Sequence, residues 1–65
     1  MKIMIRKRNQ GVYVGEKNAW TPDACMARLF ETPYHALYFC VSKDLDETDI
    51  IERFPDGREV RFLKC

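Results

Sequence analysis

The chain has 65 residues, enough for one small domain and too few for two, so we predict a single domain over residues 1–65. A domain of this size buries only about 60% of the surface that its unfolded chain exposes, which leaves little room for both a core and a deep substrate cleft. The length therefore argues against an enzyme. Eleven basic and ten acidic residues give a net charge of +1, which is too balanced for a polyelectrolyte partner of nucleic acid or acidic membranes.

Export and membrane insertion are not expected. The longest apolar run, residues 36–41, is far shorter than the roughly 20 residues of a membrane span, and the N-terminus has no signal-peptide core. The three cysteines, Cys25, Cys40 and Cys65, form no CxxC pair, which favours free thiols in a reducing cytoplasm.

Charge is unevenly distributed along the chain. Residues 1–8 hold Lys2, Arg6, Lys7 and Arg8 with no acid, whereas residues 29–52 hold six acids and only one base, Lys43. We expect the basic strand and the acidic stretch to lie on different solvated edges of the domain.

Two runs of alternating apolar and polar residues flank Asn9-Gln10-Gly11, which has the composition of a turn. They predict a β-hairpin over residues 2–16. A two-residue loop at Gln10-Gly11 would pair Arg8 with Tyr13, and a three-residue loop would shift the register by one. We favour the two-residue loop because it separates two groups onto opposite faces: Ile5, Val12 and Val14 on one, and Arg6, Arg8 and Tyr13 on the other.

Two Thr-Pro dipeptides mark helix starts, since Thr caps free N–H groups and Pro at the first helical position costs no hydrogen bond. The first, Thr21-Pro22-Asp23, predicts only a short helical turn through Arg28. The second, Thr32-Pro33, predicts the main helix, from Pro33 to about Lys43. The acidic stretch of residues 44–48 disfavours its continuation, because acids are destabilising at the negative end of a helix.

A second hairpin is predicted where residues 50–54 and 59–63 flank a Pro-Asp-Gly turn, in which Gly57 supplies a positive φ. A two-residue loop pairs Glu52 with Arg61 and a three-residue loop pairs Arg53 with Glu59, and both place opposite charges across the strands. Together the elements predict an α+β fold of order β-β-α-β-β. One main helix would pack on one face of an antiparallel sheet of three or four strands.

The stretch from Val12 to Val41 carries an order of features: a strand ending in Gly15, then Trp20, Thr21, Asp23, Ala27-x-x-Phe30, Thr32 and Ala36. It resembles a pattern in small uncharacterised bacterial and phage proteins, in which a β-hairpin precedes a Trp-containing turn and a Ser- or Thr-capped helix. The resemblance covers a little under half of the chain. It implies the same fold and a bacterial or phage origin, but no functional residue, because such proteins have no assigned activity. This chain departs from the pattern in its more aromatic helix and its C-terminal hairpin.

The main helix has more apolar surface than one sheet can cover. Its apolar side chains span roughly 200° of the circumference, whereas a surface helix shows a stripe of about 100° or somewhat wider. On one interpretation Leu37, Cys40 and Val41 face the sheet, the tyrosines lie at the margin and Phe39 covers a loop. On the other, an exposed patch binds another protein or a second copy of this chain, and its candidates are Tyr34, Tyr38 and Phe39. We therefore favour a non-enzymatic interaction or accessory module.

The alternative function is weak binding of single-stranded nucleic acid by the open face of the sheet. Aromatic rings stack on bases and guanidinium groups bind phosphate, so the candidate residues are Arg6, Arg8, Tyr13 and Trp20. Such a small basic cluster predicts weak, strongly salt-sensitive binding. The competing interpretation is a solvated face on which Arg stems pack over Tyr13.

No motif predicts a metal, a cofactor or catalysis. Cys25, His35 and Cys40 have spacings that match no common zinc site, and the fourth ligand would have to be Cys65. Asp44, Asp46 and Asp49 begin like a calcium loop, but Asp49 and Pro55 occupy the positions that need Gly and Glu, so we expect a solvated acidic loop. No nucleophile has a recognisable base beside it.

Overall fold

The fold consists of one antiparallel sheet and one helix, in a computed structural model that describes residues 2–65; Met1 of the predicted domain lies outside the described residues. The elements are β1 (Lys2–Lys7), β2 (Val12–Val14), β3 (Trp20–Thr21), α1 (Pro33–Ser42), β4 (Thr48–Arg53) and β5 (Glu59–Lys64). The strands are ordered β3-β2-β1-β4-β5. The α+β class is confirmed, and the predicted β-β-α-β-β order gains one short strand before the helix: β3 pairs with β2, so the sheet has five strands rather than three or four.

The first hairpin is confirmed, but its predicted register is wrong. Arg6, not Arg8, pairs with Tyr13, so four residues connect the strands. The chain turns after Arg8, with positive φ at Asn9 and Gly11, while Arg8 N–H donates to Glu47 O at 2.8 Å and the Arg8 side chain binds Asp49. The observed register differs from the predicted one by two residues. Because side chains alternate between the faces of a sheet with a period of two, each residue still lies on its predicted face.

Helix α1 begins where the sequence predicts. Thr32 Oγ1 accepts a hydrogen bond from His35 N at 3.1 Å, Pro33 is the first helical residue, and Ser42 is the last. With ten residues, α1 is too short to cross a bilayer, and none of the helices in residues 2–65 has the length and hydrophobicity of a membrane span.

The first predicted helix start gives only a 3₁₀ turn, Ala24–Met26, and its cap is Asp23 rather than Thr21. Asp23 Oδ1 accepts from Cys25 N at 2.9 Å, while Thr21 Oγ1 accepts from Asp23 N at 3.2 Å. Thr21 is engaged in β3, so the next polar residue along the chain takes the capping position.

The second hairpin adopts the register that pairs Arg53 with Glu59. Phe54 N donates to Arg58 O at 2.9 Å, and this hydrogen bond closes a turn of three residues, 55–57. Within the turn, Gly57 has a φ of +89°. Further along, Ile51 pairs with Arg61 but Ile50 pairs with Leu63, so β5 contains a bulge. The extra residue is Phe62. The length of the turn alone could not predict this bulge, because it lies further along the strand.

The core has two parts, one on each face of the sheet. On the helix side, buried residues of β1, β2 and β4 pack against α1: Ile3, Ile5, Val14, Ala36, Phe39, Cys40 and Ile50. On the opposite side, Met4, Tyr13 and Ile51 form a smaller cluster, against which Ala24 and Ala27 pack. The central strands are therefore buried on both faces, while edge strand β5 is mostly exposed.

Candidate interaction surfaces

The outer side of α1 carries three large exposed side chains, Tyr34, Tyr38 and Val41, which we call the helix ridge. Tyr34 and Tyr38 are each 75% exposed and Val41 is 72% exposed. Their i, i+4, i+7 spacing places them within about 60° of one another, opposite the buried side of the helix. The interpretation that Val41 faces the sheet is therefore wrong.

Phe39, the third candidate for protein binding, lies in the core and is only 9% exposed. Its ring centroid is 5.4 Å from that of Phe30, which precedes the helix and forms a bridge with Ile3 of β1. The guanidinium group of Arg28 lies over the Phe39 ring at 5.1 Å. The structure therefore brings Tyr34 and Tyr38 to the surface and leaves Phe39 out of it.

A groove of about 410 Å³ lies beside the helix ridge, between α1 and residues 28–31. Tyr38 forms part of its helix wall and the exposed Leu29 part of its other wall. Leu29 and Val41 thus extend the exposed apolar surface beyond Tyr34 and Tyr38, the two predicted candidates that belong to it. The signal for Val41 was its helical spacing from Tyr34, whereas Leu29 had no comparable periodic signal.

The basic strand and the acidic stretch lie together, which contradicts their predicted separation. The Arg8 guanidinium donates to Asp49 Oδ1 from Nε at 3.3 Å and from Nη2 at 3.2 Å. Arg6 lies opposite Asp49 in the ladder, with Nη2 3.9 Å from Oδ2. Asp49 is buried in β4, so the prediction that it belongs to a solvated loop is also wrong.

Glu59 is the centre of a second polar cluster on the face opposite the helix. Its carboxylate accepts hydrogen bonds from Arg6 Nη1 at 2.6 Å, from Tyr13 Oη at 2.7 Å and from Arg53 Nη1. Burial, followed by the hydrogen bond to Glu59, raises the pKa of the Tyr13 phenol above its ordinary value. Tyr13 therefore covers the core and is not available to stack on a base.

Trp20 lies on the other face of the sheet from Arg6 and Tyr13. It pairs with Val14, whose side chain belongs to the helix-side core, and Lys7 Nζ lies 5.2 Å from its ring centroid. The structure thus brings together Arg6, Arg8 and Tyr13 but not Trp20, the fourth predicted nucleic-acid residue. On the face opposite the helix, three basic side chains form no salt bridge within residues 2–65. All three are exposed: Lys2, Arg61 and Lys64.

Among residues 2–65, no group of three His, Cys, Asp or Glu side chains is placed to hold a metal ion. Cys25 is exposed, Cys40 is buried and Cys65 is partly buried, and all three are free thiols.

No protein-family model, curated protein or solved structure matches this chain.

Proposed function

We propose that this protein is a small, non-enzymatic interaction module of the cytoplasm that binds another protein through the helix ridge. The observation that carries the proposal is the alignment of Tyr34, Tyr38 and Val41, each at least 72% exposed, along one side of α1. Single exposed apolar residues are ordinary on soluble proteins, whereas contiguous patches are typical of interaction sites. The free thiols are consistent with a reducing compartment.

The spacing of the ridge suits insertion into an apolar groove of the partner, the mode in which helices present i, i+4 and i+7 anchors. Tyrosine is favoured in such contacts because its ring supplies apolar area while its hydroxyl keeps a hydrogen-bonding partner. Leu29, across the groove from Tyr38, extends the contact beyond the helix.

The size of the ridge indicates a small interface. Each tyrosine buries on the order of 150–250 Å² when fully covered, so the two tyrosines fall short of the roughly 800 Å² per partner of a standard interface. We therefore expect a weak, reversible complex. A dimer with a second copy would use the same ridge on both chains and is tested in the same experiment.

The decisive variant is Tyr38→Arg, which places a charge at the centre of the ridge without touching the core. Met26→Arg is the matched control, because Met26 is also exposed and apolar but lies on the short 3₁₀ turn. Tagged wild-type protein and both variants are used to capture partners from source-cell extract, and captured proteins are purified and titrated by calorimetry. Sedimentation at several concentrations measures self-association.

The proposal is supported if wild type and Met26→Arg both form a direct complex or a dimer and Tyr38→Arg does not. The circular dichroism spectrum of Tyr38→Arg must be the same as that of wild type. Equal binding by all three proteins would contradict the proposal. So would a wild-type chain that stays monomeric and gives no direct complex in the titrations.

A second candidate function, weak nucleic-acid binding, is favoured by Lys2, Arg61 and Lys64, the exposed cations on the face opposite the helix. Because Tyr13 is buried, binding would be mainly electrostatic and would fall steeply with salt. A labelled single-stranded oligonucleotide is titrated at low and physiological salt. Arg61→Ala combined with Lys64→Ala should weaken low-salt binding, whereas Lys43→Ala at the end of α1 should not. Absence of salt-sensitive binding by wild type would contradict this alternative.

A further inference from the structure

Two of the three cysteines meet between α1 and the end of β5. Cys40 belongs to the buried helix-side cluster, and Cys65 packs against that cluster. Both line the same cavity of about 260 Å³, together with Leu37, Val41 and Leu45. Cys25 lies on the 3₁₀ turn and is exposed.

Thr48 holds both cysteines in place. Cys65 N donates to Thr48 O at 2.8 Å, which fixes the backbone of Cys65 beside β4. Cys40 Sγ lies 3.8 Å from Thr48 Oγ1, and Thr48 itself is fully buried. The side chains of Cys40 and Cys65 thus line the same cavity, one from α1 and the other from the residue that follows β5.

We propose that Cys40 and Cys65 form a redox-active dithiol that a low-molecular-weight disulfide, such as oxidised glutathione, converts into an internal disulfide. The bond would join α1 to the end of β5, two elements otherwise held together only by noncovalent contacts. This proposal does not depend on the function of the helix ridge. In a reducing cytoplasm such a bond would be transient and would respond to oxidant.

The reaction proceeds by two thiol–disulfide exchanges. The Cys65 thiolate attacks one sulfur of oxidised glutathione, which forms a mixed disulfide and releases one glutathione thiolate. The Cys40 thiolate then attacks Cys65 Sγ, which forms the internal disulfide and releases the second glutathione thiolate. The two protons lost by the cysteines are taken up by the two leaving thiolates, so two protein thiols are oxidised as one glutathione disulfide is reduced.

The surroundings of the two thiols set the order of the steps. Burial, with the hydrogen bond to Cys65, raises the pKa of the Cys40 thiol to about 12, whereas Cys65 is partly exposed. Cys65 is therefore the residue that meets the oxidant first. Cys40 remains buried in the mixed disulfide, so the second step is the slower one and accelerates as pH rises.

The test uses the Cys25→Ser variant, which removes the exposed thiol that would form bridges between molecules. The protein is incubated with oxidised glutathione at neutral and mildly alkaline pH, then analysed by thiol titration, intact mass, peptide mapping and thermal unfolding. We expect both remaining thiols to disappear, the mass of the monomer to fall by two hydrogen atoms, and the peptides of Cys40 and Cys65 to be linked.

The disulfide should raise Tm by about 10 °C because it closes the chain from residue 40 to residue 65 in the unfolded state. Reductant should reverse the rise, and the Cys25→Ser, Cys65→Ser double variant should show none. Two thiols that both stay free would overturn the proposal, as would glutathione that remains on Cys65 without the second step, or disulfides formed only between molecules.

Discussion

Arg8 donates two hydrogen bonds to one carboxylate oxygen of Asp49, a residue 41 positions further along the sequence. Arg8 Nη2 also donates to Thr48 O at 3.1 Å, so a single guanidinium group binds both the side chain of Asp49 and the backbone of β4. The Asp49 side chain is 4% exposed. The contact joins the basic N-terminal strand to the acidic stretch and neutralises charges that the sequence shows as separate blocks.

Asp49→Asn should therefore destabilise the fold. The substitution keeps the shape of the side chain but leaves the Arg8 guanidinium group without its counter-charge, while Arg6 keeps its salt bridge to Glu59. We expect a loss of about 2 kcal/mol, below the full cost of breaking a buried pair because both arginines are partly exposed. Urea unfolding measures the difference. Asp46→Asn, in the exposed connection before β4, is the control and should change stability by less than about 0.5 kcal/mol; equal losses would contradict a structural role for Asp49.

Tyr13 should make stability sensitive to alkaline pH. Its pKa is raised in the folded protein by burial and by the hydrogen bond to Glu59, so the neutral phenol is favoured by folding. That stabilisation is fully present below the unfolded pKa of about 10, and it is lost as pH rises through the higher folded value, because the unfolded chain releases the proton first.

The measurement compares wild type with Tyr13→Phe across the alkaline range. At neutral pH the variant should lose about 1 kcal/mol, since Glu59 loses one of its donors. Above pH 10 the difference in free energy of unfolding between wild type and Tyr13→Phe should become smaller, because only wild type loses the contribution of the neutral phenol. If this difference stays constant or increases with pH, the Tyr13 hydroxyl is not bound to Glu59 as described.

Local chemistry accounts for the features that the sequence predicts well. The Thr32 cap with Pro33 fixes the start of α1, and the Pro-Asp-Gly turn fixes the second hairpin, because each device acts within a few residues. The faces of the first hairpin also follow from local alternation, even though its register does not.

The remaining features depend on contacts between distant residues. Arg8 lies outside the β1–β2 ladder and binds β4, and nothing within residues 2–16 indicates those contacts. The orientation of α1 is similarly nonlocal, because apolar residues occur on nearly all sides of the helix. The small Ala36 and Cys40 let it approach the sheet, Phe39 turns inward to meet Phe30, and Val41 is left outside.

Phe39 and its neighbour Tyr38 provide a direct test of that orientation. Phe39→Ala removes a ring that packs against Phe30 and should cost about 3 kcal/mol, as is usual for an aromatic residue removed from a core. Tyr38→Ala removes an exposed ring and should change stability by less than about 0.5 kcal/mol. Chemical unfolding of both variants checks the difference. Similar losses would mean that α1 is rotated relative to the sheet.

Gly15 and Gly11 should respond to alanine for different reasons. At Gly15 an added Cβ would lie 3.0 Å from Thr21 Cγ2 and 3.1 Å from Ala19 O, in the tight segment where Gly15 N donates to Ala19 O at 2.6 Å. Two backbone segments would have to separate, so Gly15→Ala should cost about 2 kcal/mol. Gly11 has a φ of +63° and open space around it, so Gly11→Ala meets only backbone strain and should cost about 1 kcal/mol.

Urea unfolding distinguishes the two effects when Asn is also placed at each position. Asn tolerates a positive φ, so Gly11→Asn should recover most of the stability lost in Gly11→Ala. At Gly15 the larger side chain should be at least as damaging as alanine, because the obstacle is the approach of Thr21 and Ala19 rather than the backbone angle. If Gly15→Asn is more stable than Gly15→Ala, the segment around Gly15 can open. The contact between β2 and β3 would then not depend on the absence of a side chain at Gly15.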